Sequence, residues 1–190
     1  LAPINGQIVS CNTIEGLSSQ QRYPSVEVRN FGLNNINSFD LTFDYNGIQI
    51  TENINNINLG FGLGSLDVMT VDFTNPITLA GGTNPAVIYI HNINSGVTQS
   101  TSDDTLIVNI DAVVPAPGKL VIGEEATGTW CSWCPRGAVA MNWMDHDYEG
   151  YWQGIAVHNA DPMANVDYDA GLFPFIGGYP SGLVDRGPEI

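Results

Sequence analysis

The stretch "FDLTFDYNGIQI", residues 39–50, constrains the fold of this 190-residue chain more than any other. From Phe39 to Tyr45, apolar residues alternate with polar ones, which is the period of a strand that buries one face. Asn46 and Gly47 follow, and this pair readily adopts the positive φ angles of a two-residue hairpin turn. The pattern predicts two adjacent antiparallel strands.

Similar short runs fill the chain up to about residue 113. Clusters of Asn, Gly and Pro separate them, and no segment carries the apolar stripe of a helix. The runs are "GQIVSC", "SVEVRNFG", "LDVMTVDF", "AVIYIHNI" and "DTLIVNID". Together with the hairpin they make about seven strands, which predicts a β-sandwich of the immunoglobulin or fibronectin type over residues 1–113.

The pattern changes at "VVPAPGK", residues 113–119, where two prolines and a glycine disfavour a helix or a central strand. We therefore predict a linker at residues 114–118. Beyond it, "KLVIGEEATG" predicts a strand, Pro135 to about Tyr148 a helix, and "YWQGIAVHNADP" a second strand. A short helical crossover, "MANVDYDAGLFPF", and a third strand, "SGLVDRG", follow. Strand, helix and strand in this order predict a parallel pair in an α/β domain over residues 119–190.

The composition narrows the range of functions. Twenty acidic residues against five basic ones give a net charge of −15 at pH 7. Such a surface repels nucleic acid and anionic lipid over a Debye length of about 8 Å. No run of 18 apolar residues is present, so we expect no transmembrane span. The first residues, Leu1-Ala2-Pro3, are typical of a segment from which a signal has been removed.

The stretch "GTWCSWCPRG", residues 128–137, is the strongest candidate for chemistry. Cys131 and Cys134 lie between a predicted strand and a predicted helix. We expect Cys131 at the helix N-terminus, where unpaired N–H groups and the helix dipole stabilise a thiolate, and Arg136 adds positive charge. The thiolate is the form that attacks a disulfide. Cys134, more enclosed, would then resolve the mixed disulfide, so the pattern favours a redox pair.

Two other roles for the cysteine pair stay open. It could form half of a zinc site completed by His146 and His158, although the chain lacks a second CxxC or a close histidine pair. It could also be a passive disulfide. We expect His158 to satisfy a hydrogen bond at the end of its strand, and Cys11 to be a buried free thiol that packs as a small apolar residue. No metal and no cofactor are predicted.

Three stretches of the second half, "EEATGTWCSWCPRG", "GIAVHNADPM" and "GYPSGLVDR", together resemble the twenty-eight-kilodalton outer membrane protein family over residues 119–186. The resemblance implies a thioredoxin-like domain with Cys131 and Cys134 as the redox pair. It also implies that Pro180 is the cis-proline that precedes the last strand and faces the cysteines.

Glu125 lies six residues before Cys131, where thioredoxin-like proteins often carry a buried acid beneath the pair. Desolvation would raise the pKa of this carboxyl group and let it exchange a proton with Cys134. Adjacent strand residues face opposite sides of a sheet, so the alternative is that Glu124 points inward and Glu125 outward.

The cysteine pair and its setting predict a thiol–disulfide oxidoreductase, and the family resemblance implies that it is exported to the cell envelope, outer membrane or cell surface. Its partners would be protein thiols or disulfides and other envelope proteins. A second class stays open, in which the chain is a surface binding or structural component, part of an assembly, and the thioredoxin-like fold is only a scaffold. Trp130 and Trp133 would form a docking surface beside the cysteines or pack in a core.

We also expect the second domain to be incomplete. A thioredoxin-like sheet continues after the cis-proline strand with an antiparallel strand and a closing helix, whereas only Pro188-Glu189-Ile190 follow "GLVDRG". Without those elements the last strand would expose unpaired backbone groups and the sheet an apolar face. The missing elements would come from further residues or from another chain.

Overall fold

A computed structural model describes residues 2–96 and 103–190. The chain divides into two compact units, Leu1–Val114 and Pro115–Ile190.

The first unit contains two main sheets built from short strands. The strands are β1 (Gly6–Cys11), β2 (Glu15–Leu17), β3 (Gln21–Arg22), β4 (Ser25–Asn30), β5 (Phe39–Tyr45), β6 (Ile48–Ile54), β7 (Val68–Asp72), β8 (Ile77–Thr78), β9 (Gly82–His91) and β10 (Thr105–Val113). One sheet is antiparallel and has the order β1-β4-β7; the other has the order β2-β10-β9-β5-β6 and is antiparallel except for the β2–β10 pair. Strands β3 and β8 form a separate small pair.

The two main sheets bury their apolar residues in one shared core. Val26 and Val28 come from β4 of one sheet, and Phe43 of β5 and Ile88 of β9 come from the other; all four are fully buried. The first unit is therefore a β-sandwich. The alternation read from the sequence is confirmed in β5, because Phe39, Leu41, Phe43 and Tyr45 all lie in this core. Thr42 is also buried, where its hydroxyl group lies 2.8 Å from that of Thr51.

The hairpin between β5 and β6 has the predicted turn. Tyr45 pairs with Ile48, and the two residues between them have φ angles of 54° at Asn46 and 76° at Gly47. The positive φ angles match the twist of the two strands, which explains why Asn-Gly occurs at this position.

The second unit is a small α/β unit. Its elements are β11 (Val121–Thr127), α1 (Pro135–Asp147), β12 (Trp152–His158), α2 (Val166–Leu172) and β13 (Ser181–Val184). A three-stranded sheet has the order β12-β11-β13, in which β12 runs parallel and β13 antiparallel to the central strand β11. The edge of β13 that faces away from β11, which was expected to be bare, is partly covered, because Gly182 and Ile190 exchange two backbone hydrogen bonds there.

The core of the second unit lies on one face of this sheet. Ala126 of β11, Val157 of β12, Leu172 of α2 and Leu183 of β13 are buried together there. Helix α1, in contrast, buries none of its side chains. Among the described residues, neither helix has the length and the apolar character that a membrane span requires.

Gly123 in β11 makes room for the indole ring of Trp152. A Cβ atom at residue 123 would lie 2.0 Å from Cζ2 and 2.1 Å from Cη2 of this ring. The Gly123→Ala substitution should therefore destabilise the second unit by about 1–3 kcal/mol, the usual cost of overpacking. Urea unfolding followed by tryptophan fluorescence measures this, since all four tryptophans (130, 133, 143 and 152) lie in the second unit.

Gly171→Ala is the matched control for this substitution. A Cβ atom at Gly171, in α2, would meet nothing within 4 Å. Alanine is also the better helix former, so this variant should be unchanged or up to about 1 kcal/mol more stable. Equal unfolding free energies for the two variants would contradict the close contact at Gly123.

Candidate active site

The cysteine pair lies in the loop between β11 and α1. Cys131 and Cys134 form a disulfide with a Cα–Cα distance of 5.4 Å. Cys134 is buried and Cys131 is half-buried. Cys131 is therefore the more accessible of the two residues, as predicted for the cysteine that attacks the substrate.

The prediction that Cys131 occupies the helix N-terminus is wrong by one turn. A separate turn closes first, since the Cys131 N–H donates to the Gly128 carbonyl at 2.9 Å. Helix α1 then begins at Pro135, with Cys134 as its N-cap. Proline suits the first helical position because it has no N–H to leave unpaired and its φ angle is already helical. The helix dipole therefore acts most directly on Cys134.

Arg136 and the two loop tryptophans are at the surface. The Arg136 guanidinium lies over the Trp133 ring, 4.4 Å from its centroid, in a cation–π contact. Trp130 donates its indole N–H to the Asn159 carbonyl at 2.7 Å. Both tryptophans are exposed, so the structure places neither of them in a core.

Pro180 lies directly before β13, and the peptide bond between Tyr179 and Pro180 is cis, as predicted. The Tyr179 ring packs edge-on against Trp130 with 5.2 Å between the centroids. Through this contact the turn that contains Pro180 touches the residue directly before Cys131.

Glu125 is buried against helix α1. Its residue is only 5% exposed, and burial raises the pKa of its carboxyl group, an effect that nearby His158 partly offsets. Helix α1 approaches closely because residue 137 is glycine: a Cβ atom there would lie 2.1 Å from Glu125 Oε1. That oxygen has no hydrogen-bond partner among the residues that the structure describes.

Glu125 and the disulfide line the same pocket. This open pocket has a volume of about 380 Å³, and Cys131, Cys134, Glu125 and His158 all contribute to its wall. The pocket therefore brings together the two cysteines and Glu125, which were predicted as site residues, and places His158 beside them. Pro180 is not among the residues that line it.

His158 is held by Asp161, a residue that the sequence interpretation missed. His158 Nδ1 lies 2.7 Å from Asp161 Oδ2, as expected for a histidine that satisfies a hydrogen bond at the end of its strand. Asp161 also accepts the N–H groups of Thr129 at 2.7 Å and Met163 at 2.8 Å. The hydrogen bond from His158 and these two backbone donors keep the pKa of Asp161 well below its usual range.

Glu124 is buried as well, at 3% exposure, on the opposite face of the sheet. It forms an ion pair with Arg186 and accepts the Tyr168 hydroxyl hydrogen at 2.7 Å. The two glutamates thus face opposite sides, as strand geometry requires, but both sides are covered. The sequence interpretation treated burial of Glu124 and of Glu125 as alternatives, and the structure buries both.

The remaining predicted residues lie apart from the pocket. His146 is exposed on α1 and contacts its neighbour, with 3.0 Å between Nδ1 and Asp147 Oδ1. Within residues 2–96 and 103–190, no group of three or more His, Cys, Asp and Glu side chains is arranged to hold a metal ion. Cys11, in the first unit, is a free thiol that packs against the core as predicted, but it is half-buried rather than buried, and burial raises its pKa to about 11.

Comparisons with known proteins assign no family. No family model matches the chain, and no curated protein matches it. A solved domain of a protein described as a cell surface protein, from Methanosarcina acetivorans, is 17% identical with a TM-score of 0.47, and the match covers 60% of this chain and 94% of that one.

The CARDB domain of a Pyrococcus furiosus protein also matches over 60% of this chain at 14% identity. Its crystal structure, in complex with di-metal ions, gives a TM-score of 0.41 with 98% of that chain covered. Its solution structure gives 0.44 with 100% covered. These likenesses are too weak to assign a fold or a function.

Proposed function

We propose that this chain is an exported thiol–disulfide oxidoreductase that acts through Cys131 and Cys134, and that its second unit has a thioredoxin-like fold. One observation carries the proposal. The Cys131–Cys134 disulfide and the buried carboxyl group of Glu125 line the same pocket. A disulfide with one half-buried cysteine beside a buried acid with a raised pKa suits thiol–disulfide exchange, because it offers an accessible sulfur and a group that can exchange a proton.

The order of the elements supports the thioredoxin-like assignment. The chain runs β11, a CxxC loop, α1, β12, α2 and then Pro180 before β13. In the sheet, the central strand has the parallel β12 on one side and the antiparallel β13 on the other. The resemblance to the twenty-eight-kilodalton outer membrane protein family implies the same arrangement and the same roles for the cysteines.

In the reductive direction, exchange would proceed in two steps. The Cys131 thiolate attacks one sulfur of a substrate disulfide, forms a mixed disulfide and releases the other substrate sulfur as a thiolate, which takes a proton from water. Glu125 then takes the proton of the Cys134 thiol. The Cys134 thiolate attacks the Cys131 sulfur, which releases the second substrate thiolate and closes the Cys131–Cys134 disulfide. The substrate is reduced and the protein is oxidised; the oxidative direction reverses each step.

Export is part of the same proposal. Stable disulfides persist in oxidising compartments outside the cytosol. With a net charge of −15, we expect protein thiols or disulfides as substrates rather than nucleic acid, because a phosphate backbone would be repelled. Trp130 directly precedes Cys131 and Trp133 directly precedes Cys134, and both exposed rings supply an aromatic contact surface for such a protein.

Differential alkylation tests the proposal. In the fully reduced protein at about pH 7, Cys131 should react with iodoacetamide at least about tenfold faster than Cys134, because Cys131 is half-buried and Cys134 is buried. Peptide mass spectrometry of samples quenched over time measures both rates. Cys11, whose pKa is raised to about 11, serves as the slow internal control. Equal, slow labelling of all three cysteines would favour a passive disulfide.

A further inference from the structure

This inference rests on the proposed function and concerns the proton that leaves Cys134 during disulfide exchange. In resolving the mixed disulfide, Glu125 takes a proton from Cys134 and must release it before the next turnover. The Glu125 residue is only 5% exposed, and its Oε1 atom contacts no hydrogen-bonding group among the described residues. A second titratable group in the pocket would speed this release, because the carboxyl group itself has little contact with solvent.

His158 lies where such a group would act. It lines the pocket together with Cys131, Cys134 and Glu125, and its side chain is 15% exposed. It is close enough to Glu125 to lower the pKa of that carboxyl group. A pocket of about 380 Å³ also has room for water molecules that could connect the two side chains.

Asp161 determines which nitrogen of His158 carries the proton. The Asp161 side chain is 2% exposed and accepts hydrogen bonds from two backbone N–H groups. These bonds fix its position and favour its ionised, carboxylate form. A carboxylate only accepts hydrogen bonds, and therefore His158 Nδ1 must donate. In the neutral ring this leaves Nε2 as the proton acceptor. One of the two backbone donors belongs to Thr129, so the same carboxylate ties the histidine to the CxxC loop.

We propose that His158 transfers the proton between Glu125 and solvent during disulfide exchange, and that Asp161 is its positioning residue. The proton moves from the Cys134 thiol to the Glu125 carboxylate, then to His158 Nε2, and finally to water. Asp161 stabilises the imidazolium ion that forms in between. Among the residues that the structure describes, the titratable groups that line the pocket with His158 are Glu125 and the two cysteines, and Asp161 contacts its Nδ1.

Single-turnover kinetics test this assignment. The reduced full chain is mixed with glutathione disulfide, quenched with acid, and analysed by mass spectrometry for the mixed disulfide and the closed disulfide. In His158→Ala and Asp161→Asn, closure at about pH 7 should slow at least about tenfold, since general acid–base catalysis typically contributes about a hundredfold or more and water can replace part of it. Formation of the mixed disulfide should stay within about twofold of wild type. Added imidazole should restore closure in His158→Ala.

His146→Ala is the matched control, because His146 also contacts an aspartate but is exposed on α1; it should behave as wild type. His158→Gln, which can still donate a hydrogen bond to Asp161 but cannot carry a proton, replaces His158→Ala if the alanine variant does not fold.

The proposal is overturned if closure is as fast as in wild type in both His158→Ala and Asp161→Asn. It is also overturned if closure slows by one constant factor from about pH 5 to 9 without rescue by imidazole. A wild-type chain that forms neither the mixed nor the closed disulfide would overturn the proposed function and this inference with it.

Discussion

Replacing Arg186 by alanine is expected to destabilise the second unit by about 3 kcal/mol, the low end of the cost of breaking a buried ion pair. The substitution leaves the Glu124 carboxylate, which is 3% exposed, with the Tyr168 hydroxyl but without its counter-ion. The low end applies because the Arg186 side chain is 43% exposed and solvent screens part of the attraction. Urea unfolding monitored by tryptophan fluorescence reports on this unit alone, since all four tryptophans lie in it.

Lys119→Ala is the matched control for this variant. Lys119 forms an ion pair with Asp185, but both side chains are well exposed, so its loss should cost between 0 and about 1 kcal/mol. The double variant Glu124→Leu, Arg186→Met should recover most of the loss, because it leaves no unpaired buried charge. An Arg186→Ala variant within about 0.5 kcal/mol of wild type would contradict this account of the buried pair.

The second large effect is expected on disulfide exchange when either cysteine of the pair is replaced by serine. Cys131→Ser should show no turnover with glutathione disulfide, because the attacking sulfur is gone. Cys134→Ser should instead accumulate the mixed disulfide at Cys131, since nothing remains to resolve it. Intact-protein mass spectrometry distinguishes the two outcomes directly.

Cys11→Ser is the control for both cysteine variants. Cys11 belongs to the first unit and packs against the core of the sandwich, so its replacement should leave exchange unchanged. If Cys131→Ser and Cys134→Ser formed the mixed disulfide equally well, the assignment of the attacking and resolving cysteines would have to be abandoned.

The strands that alternate over six or more residues could be predicted from the sequence. In β5 the period-2 pattern and the Asn46-Gly47 turn together specify both the buried face and the partner strand. Strands β2, β3 and β8 were missed because two or three residues are too few to show a period. These strands depend on pairing with distant segments, as β2 does with β10.

The candidate site could be predicted only where its residues are close in sequence. Cys131, Cys134 and Glu125 lie within ten residues of one another, and the pocket brings them together. The Glu124–Arg186 ion pair joins residues that are far apart in the chain, and no local pattern indicates it. Asp161 follows His158 by three residues, but its role depends on the fold of the loop that also brings Thr129 to it.

The start of α1 at Pro135 was predicted correctly, but Cys131 was wrongly placed at this N-terminus, because sequence alone does not show the extra turn that Gly128 and Cys131 close before the helix. This shift matters for the chemistry. The dipole of the helix and the charge of Arg136 were expected to activate Cys131, whereas Cys134 is the N-cap and Arg136 stacks on Trp133. In the structure, the case for Cys131 as the attacking sulfur is its greater exposure.

The reduction potential of the Cys131–Cys134 disulfide tests the proposed function most directly. The protein is equilibrated with glutathione buffers of known potential, and the oxidised fraction is followed by the fluorescence of Trp130 and Trp133 or by thiol trapping. We expect a potential above about −300 mV, in the range of catalytic disulfides, since the disulfide lines an open pocket with a buried acid and Cys131 is only half-buried. A potential below about −300 mV, the range of structural disulfides, would contradict the proposal and favour a surface binding or structural role.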